Sequence, residues 1–256
     1  MKRSALRLAV LTLTVAVAAS ACSELETRVT RPNDGEPRFD VFLQVPSGQT
    51  GGNVIPAPSP NVQLTDDQGN VLNITQGQVA VREMELGRES GECVDSTDGT
   101  EDDGDACVEI TVPPQLLTLP VDRREVQIVN QIPVVDGSYD RLEFDLHVVT
   151  EDDQGLVGTN PQFLGASILI RGSFNGSSFA VTLNPEDELT LDFPQAIQTE
   201  AGATSRITLV AEMAGWFRAE DGSLIDPTQL EEGSAQETRV KEQISNAFSV
   251  QLGPPQ

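Results

Sequence analysis

Apolar and polar side chains alternate along much of this chain, most clearly over residues 141–149. Every second position there is apolar: Leu142, Phe144, Leu146 and Val148. The positions between them hold charged residues and the chain's one histidine: Arg141, Glu143, Asp145 and His147. Successive side chains of a β-strand point to opposite faces. This period of two therefore predicts a strand with one face in the core and the other in water.

Further segments with the same alternation recur at intervals of about ten residues. They are Phe39–Val45, Val62–Leu64, Val71–Ile74, Gln78–Leu86, Val108–Val112, Leu116–Leu119, Val126–Ile132, Ile168–Ile170, Phe179–Leu183, Leu189–Phe193 and Ile207–Met213. Turn residues separate them, as in Asp66–Asn70 and Asn175-Gly176. This spacing predicts a mainly β fold: a single antiparallel β-sandwich domain, immunoglobulin-like or prealbumin-like, over residues 39–256.

The alternation in Gln78–Leu86 changes phase at Arg82-Glu83. The two valines before this pair have odd numbers, whereas Met84 and Leu86 after it have even numbers. A β-bulge inserts one extra residue into a strand and so shifts the parity of the side chains that follow. We therefore predict a bulge near Arg82-Glu83.

The C-terminal part of the chain changes to helical periodicity. Asp226-Pro227 has the residue types of an N-cap and a first helical position, which predicts a short helical turn. Ser234 and Glu237 form a Ser-x-x-Glu capping box before a helix predicted over residues 235–248. Its apolar stripe consists of Val240, Ile244, Ala247 and Phe248. We expect the stripe to cover an edge or an open end of the sandwich, and docking to a partner protein is the alternative.

Residues 1–21 have the three parts of a secretory signal peptide. Lys2, Arg3 and Arg7 precede an apolar stretch, Leu8–Ala18, that is too short to cross a bilayer as a helix. Small residues then lead to a cysteine, as at a bacterial lipoprotein cleavage site.

That cysteine, Cys22, is the predicted site of lipidation. Ala19 stands where such sites usually have leucine, and an ordinary signal peptide cut after Ala21 is the alternative. Residues 22–38 are polar and are predicted to be a membrane tether. Ser23 rather than Asp follows the cysteine, which resembles an outer-membrane sorting pattern. The sequence thus predicts a lipid-anchored protein of the bacterial cell envelope, at the outer membrane.

The charge of the chain excludes one class of partner. There are 16 basic and 40 acidic residues, for a net charge of −24. The predicted signal peptide carries three of the basic residues and no acidic residue, so the mature chain has a net charge of −27. Such a chain repels nucleic acid, because binding phosphates requires clustered Lys and Arg. The expected partners are the membrane, through the lipid anchor, and an envelope protein.

Two cysteines remain after Cys22, and they are Cys93 and Cys107. Exported compartments are oxidising, so these two residues are predicted to form a disulfide, with two free thiols as the alternative.

Acidic residues crowd the loop between those cysteines: Asp95, Asp98, Glu101, Asp102, Asp103 and Asp105. Ca²⁺ binds six to eight oxygen ligands, so a calcium site is one hypothesis for this loop. The spacing fits a calcium loop only loosely, because Ala106 stands where that motif has glycine. A solvated acidic loop with no cofactor is the interpretation that composition alone favours.

His147 shares its predicted strand face with Glu143 and Asp145, so a metal site there is a second hypothesis. A solvated strand face is the simpler interpretation. A Ser-His-Asp hydrolase would need this histidine, but the chain has no Gly-x-Ser-x-Gly motif. A phosphate-binding glycine loop is absent too. The sequence therefore names no catalytic residue and favours a non-enzymatic protein over a periplasmic hydrolase.

The segment Gly137–Phe144 resembles the Gly-x-Tyr-x-x-Leu start of a strand in uncharacterised bacterial lipoproteins with a β-sandwich domain. The Leu-Leu-Thr-Leu-Pro core of Val112–Val121 and the pair Trp216-Phe217, with the Asp-Gly and Asp-Pro pairs that follow, fit as well. The resemblance covers roughly residues 60–250 and implies a β-sandwich without an assigned activity. Tyr139 is expected to anchor a turn through its hydroxyl.

Together these features predict a non-enzymatic envelope lipoprotein with a binding or structural role. A calcium-binding surface lipoprotein is the alternative.

Overall fold

The computed structural model describes residues 37–46, 61–88, 107–110, 114–121 and 127–253, all within the unit Asp34–Gln256. They include twelve strands: β1 (Arg38–Gln44), β2 (Val62–Thr65), β3 (Val71–Arg88), β4 (Cys107–Ile110), β5 (Gln115–Leu119), β6 (Gln127–Pro133), β7 (Gly137–Leu146), β8 (Ile168–Phe174), β9 (Ser177–Leu183), β10 (Glu188–Thr199), β11 (Thr204–Ala211) and β12 (Phe248–Leu252). The helical elements are α1 (Gln154–Val157), α2 (Ala235–Ser245) and the 3₁₀ turns Pro161–Phe163, Met213–Gly215 and Pro227–Gln229.

The strands form two sheets, as expected for a β-sandwich. The smaller sheet has the order β12-β11-β1-β6. Its strands β1 and β11 run parallel, whereas all other described pairs are antiparallel. A parallel pair requires a long connection, and most of the domain lies between these two strands in the sequence. The predicted antiparallel β-sandwich is therefore confirmed, and β1 and β11 are the one parallel pair among the described strands.

Strand β3 organises the larger sheet. Val79 pairs with β5 on one side and with β8 on the other, and Val81 pairs with β5 and β7. Consequently β8 and β7 follow one another along one edge of β3, while β2, β5 and β4 line its other edge. Strand β10 extends this sheet beyond β7, and β9 extends it beyond β8.

Strand β3 is continuous where the sequence predicted two strands, Val71–Ile74 and Gln78–Leu86. The predicted bulge is confirmed, because the β3–β7 register shifts between Arg82 and Met84 and Glu83 has a φ of 46°. The extra residue restores the core orientation of the side chains that follow it. A second register shift, between Ile74 and Gln76 on the β8 side, falls where the first predicted segment ends. Irregularities of this kind bend a strand without ending it, so the two predicted segments form one strand.

One buried cluster joins the two sheets and α2. Aromatic rings of the two sheets meet edge to face, with centroids 5.5 Å apart for Phe39 and Tyr139 and 5.7 Å apart for Phe144 and Phe248. A smaller cluster on the opposite face of the larger sheet lies beneath the segment that carries α1: Ala80, Val149, Phe163 and Leu169. The main core therefore holds the sandwich together, and the segment 147–166 covers part of its outer surface.

The C-terminal helix is present but shorter than predicted. It ends at Ser245, and Phe248 begins strand β12 instead of continuing the helix over 235–248. Asn246 is the C-cap of the helix, and Phe248 then reaches the core from a strand. Val240 and Ile244 are fully buried in the main cluster. The apolar stripe is thus used within this chain and is not free to dock a partner.

Tyr139 anchors a turn, as expected. Its hydroxyl donates a hydrogen bond to the backbone carbonyl of Val135 at 3.0 Å, and the residue is fully buried. The bond satisfies a polar group that would otherwise be costly to bury.

Candidate functional site

Strand β9 lies at an edge of the larger sheet, and the turn before it determines which of its backbone groups face outward. The sequence predicted a turn at Asn175-Gly176, and these residues have φ values of 49° and 85°, as in a two-residue type I′ turn. The Asn175 side chain fixes this turn, because its Oδ1 accepts a hydrogen bond from the backbone N–H of Val71 at 2.8 Å.

Phe174 and Ser177 are the pair that closes this hairpin. A closing pair of this kind exchanges both hydrogen bonds, and bonded pairs alternate along an antiparallel ladder. The backbone N–H and C=O groups of Ser178, Ala180 and Thr182 therefore face away from β8. Within the described ranges β9 pairs with β8 alone, and no described residue forms a hydrogen bond to these outward groups.

Gly172 on β8 determines the position of Phe179. A Cβ at Gly172 would lie 2.1 Å from the backbone oxygen of Asn73 and 3.0 Å from Cζ of Phe179. Glycine therefore allows β8 to lie close to β3 and allows the ring of Phe179 to rest against β8. Phe179 also meets Phe217 edge to face, with centroids 6.2 Å apart. These contacts hold the inner side of β9 in place.

The segment 224–237 faces β9 and is held by side chains that accept hydrogen bonds from its backbone. Asp66 accepts from the N–H of Leu224 at 3.0 Å. Asp226 caps the 3₁₀ turn Pro227–Gln229, as predicted, by accepting from the N–H of Thr228 at 2.8 Å.

The predicted capping box holds the end of that segment, with one change of partner. Ser234 accepts from the N–H of Glu237 at 3.1 Å. In a capping box the Glu237 carboxylate would accept from the N–H of Ser234. Here it accepts instead from the N–H of Gly233, one residue earlier, at 2.5 Å. Both halves of the box are therefore satisfied, and the start of α2 is fixed beside β9.

An open groove of about 600 Å³ lies between β9 and the segment 224–237. One wall consists of Ser178, Phe179, Ala180, Val181, Thr182, Leu183 and Asn184, together with Gly165. The opposite wall consists of Pro227, Thr228, Leu230, Glu231, Glu232 and Glu237. Its volume lies within the range of ligand-binding pockets, and no lysine or arginine occurs among these lining residues.

The three glutamates of the groove differ in their ionic partners among the described residues. Burial alone would raise the pKa of Glu237, but the Lys241 ammonium at 2.8 Å and the Gly233 N–H hold that pKa below its usual value. Glu237 is therefore ionised and paired. Glu231 and Glu232 are exposed and form no ion pair with any described residue. Within the described ranges the groove thus combines outward backbone groups on one wall with unpaired carboxylates on the other.

Most of the predicted site residues lie outside the described residues. This applies to Cys22, to Cys93 and to the six acidic residues of the loop: Asp95, Asp98, Glu101, Asp102, Asp103 and Asp105. Cys107 is the first residue of β4, where its backbone pairs with that of Gly87. Lipidation, the disulfide and the calcium site accordingly remain predictions.

His147 does not lie on a solvated strand face, and that interpretation was wrong. Strand β7 ends at Leu146, and the chain then turns so that His147 is only 8% exposed. Its Nε2 lies 2.8 Å from Oδ2 of Asp153, and the same oxygen accepts a hydrogen bond from the N–H of Thr150 at 2.7 Å. Burial pushes the pKa of Asp153 upward, but these hydrogen bonds hold it below its usual value. The cluster closes a turn.

Glu143 and Asp145 do not join His147 in a metal site. Glu143 binds Arg141 at 2.7 Å, and Asp145 binds Arg82 at 3.2 Å. Across the part of the chain that the structure describes, no three His, Cys, Asp or Glu side chains are grouped so as to hold a metal ion. In the same ranges no helix has both the length and the apolar character needed to span a bilayer.

The sequence did not point to the groove. The feature of the sequence that could have indicated it is the composition of β9, whose residues Ser-Ser-Phe-Ala-Val-Thr-Leu include no charge and no proline. The position of β9 at an edge, opposite Glu231 and Glu232, depends on the order of strands in the sheet, which alternation does not specify.

Comparison with known proteins adds one distant likeness. No family model matches this sequence, and no curated protein matches it. Among solved structures the chain is similar to MbnP from Methylosinus trichosporium, at 12% sequence identity and a TM-score of 0.41. The match covers 85% of this chain and 99% of that chain.

Proposed function

We propose that this protein is a lipid-anchored, non-enzymatic binding protein of the bacterial cell envelope, and that the groove beside β9 is its binding site. The observation that carries the proposal is the groove itself, whose volume is about 600 Å³. Among the residues that the structure describes, it combines a strand edge without a partner and carboxylates without an ion pair. An envelope location is supported by the signal-like residues 1–21 and by Cys22, and also by the resemblance to uncharacterised envelope lipoproteins.

A binding role agrees better with the groove than a catalytic one. Its lining contains serine and threonine hydroxyls and glutamates, but no histidine, cysteine or lysine that would activate a nucleophile. The single histidine of the chain is engaged with Asp153 outside this lining.

Site-specific photocrosslinking in cells tests the location of the site. A benzoylphenylalanine at position 182 would project from β9 into the groove, whereas one at position 190 would lie on an exposed position of β10 outside it. We expect a discrete crosslinked product from position 182 and none from position 190. Equal labelling from both positions, or no product from position 182, would contradict the proposal.

A further inference from the structure

The exposed edge of β9 lacks the features by which proteins normally prevent strand pairing. Natural edge strands carry charged residues, prolines or bulges, because an open edge is a template for another chain. Strand β10, at the other end of the sheet, has Asp192, Pro194 and a register shift. Strand β9 has seven uncharged residues without proline and pairs with β8 in unbroken register. Its open edge is therefore available for strand addition.

An additional strand at this edge would run along the outward groups of β9 at the usual spacing of about 4.8 Å, and seven extended residues span about 23 Å. The outward N–H and C=O groups of Ser178, Ala180 and Thr182 would bond to the guest strand. Pro227 and Leu230 line the same groove, and the turn Pro227–Gln229 comes within 8 Å of β9 between Cα atoms. An extended polypeptide uses all of these groups at once.

Charge indicates which polypeptide would bind. Glu231 and Glu232 are exposed without cationic partners among the described residues, and the lining has no cation of its own. A guest with Lys or Arg complements these carboxylates. A second copy of this chain would instead bring the same carboxylates together, and the chain has a net charge of −24. Electrostatics thus favours a basic segment over self-association.

We propose that β9 binds an extended, Lys- or Arg-bearing segment of another protein as an added β-strand. This inference rests on the proposed function of the groove and names the chemical class of its ligand. It requires backbone pairing at alternate residues of β9 and charge pairing at Glu231 and Glu232.

Hydrogen exchange measured by NMR tests the backbone pairing. The probe is the peptide Lys-Thr-Val-Lys-Val-Thr-Lys, added to the full chain in a nonionic detergent. We expect exchange to slow at the N–H groups of Ser178, Ala180 and Thr182 on binding. The N–H groups of Phe179 and Val181 should not change, because they already bond to β8. Equal protection of all five groups, or protection of none, would overturn strand addition.

Ala180→Pro removes one outward N–H and should weaken peptide binding roughly ten-fold. The fold should survive, because that N–H has no described partner and edge strands tolerate proline. The matched control is Ala201→Pro. Ala201 precedes Gly202, whose φ is 78°, in a turn closed by Ala203 N–H and Glu200 C=O at 2.9 Å. Proline suits that position, so binding should not change.

Three further comparisons keep the test independent of the folding of Ala180→Pro. The same peptide N-methylated at alternate residues should not bind the parent protein. The peptide with Glu in place of Lys should bind more weakly than the original, and so should the original peptide to the double variant Glu231→Gln, Glu232→Gln. The control double variant Glu151→Gln, Glu200→Gln changes exposed carboxylates outside the lining and should bind as the parent does.

Different outcomes separate failure of this inference from failure of the proposed function. If Thr182→Trp blocks peptide binding while Ala180→Pro and N-methylation have no effect, the groove binds ligand but strand addition is wrong. If binding is unchanged by both Thr182→Trp and its control Thr190→Trp, the groove is not the site and the proposed function fails as well. A dimer in sedimentation velocity that Ala180→Pro dissociates would assign the edge to a second copy and overturn the basic partner.

Discussion

Asp66 connects the β2–β3 turn to the segment that forms one wall of the groove. Its carboxylate accepts hydrogen bonds from the side-chain amide of Asn70 at 2.8 Å and from the backbone N–H of Leu224 at 3.0 Å. It also accepts from the backbone N–H groups of Gln68 and Asn70 at 3.0 and 2.8 Å. Led by the Asn70 side chain, these donors lower the pKa of Asp66 from 3.8 to about 2.

This pKa predicts how stability depends on acid. A group with a depressed pKa in the folded state contributes stability that is fully present above its unfolded pKa, here near 3.8. The contribution is lost as the pH falls toward 2. We expect the stability difference between the parent and Asp66→Asn to be constant above about pH 5 and to shrink below it. Denaturant unfolding at a series of pH values measures this difference.

The neighbouring residue provides the control for that experiment. Asp67 is exposed and accepts no hydrogen bond from a described residue, so Asp67→Asn should remain close to the parent at each pH. A stability difference for Asp66→Asn that does not vary with pH would show that its carboxylate is not held as described.

At the scale of elements, the alternation of apolar residues predicted the strands, turns and bulges that depend on local sequence. Strand β7, the Asn175-Gly176 turn and the bulge at Arg82-Glu83 follow from side-chain parity and turn chemistry. The continuity of β3 and the start of β12 at Phe248 did not follow, because each is determined by partners distant in sequence. The same reason explains why His147 was wrongly placed on a wet face: a later segment covers it.

Gly172 shows such a long-range dependence, because the atoms that a side chain at this position would strike belong to β3 and β9. Gly172→Ala would place a methyl group against the backbone oxygen of Asn73, which cannot move without disturbing the β3–β8 ladder. We expect a loss of about 1–3 kcal/mol in the free energy of unfolding. Urea denaturation measures this loss.

Gly155 offers a matched substitution for comparison. A Cβ at Gly155, within α1, meets no atom within 4 Å, so Gly155→Ala should change stability by less than about 1 kcal/mol. If the two alanine variants proved equally stable, the close approach of β8 to β3 would not be the constraint inferred here.

At the scale of the whole molecule, the sequence predicted the sandwich but not the groove. The groove needs β9 at the edge of one sheet and Glu231 and Glu232 opposite it, two features about fifty residues apart in the chain. Asp66 and Ser234 hold the second wall, and their hydrogen-bonding potential was visible as turn and capping residues. Which strand they would face depends on the order of strands, which sequence periodicity does not encode.

The proposed envelope location depends on Cys22. A mature chain with a net charge of −27 is repelled by anionic lipid, so acyl chains must supply the membrane affinity, at about 0.8 kcal/mol for each buried CH₂ group. We expect Cys22→Ser to move the protein from the detergent phase to the aqueous phase in Triton X-114 partitioning. Cys107→Ser, a matched change at a cysteine with no role in anchoring, should leave it in the detergent phase.

Mass spectrometry of the mature N-terminus distinguishes the two possible signal peptides. Lipidation predicts an acylated Cys22 with residues 1–21 removed, whereas an ordinary signal peptide cut after Ala21 predicts an unmodified Cys22. In the second case the parent and Cys22→Ser would both partition into the aqueous phase, because neither would carry an acyl chain to hold it in the detergent phase. The groove would then belong to an exported protein without a lipid anchor.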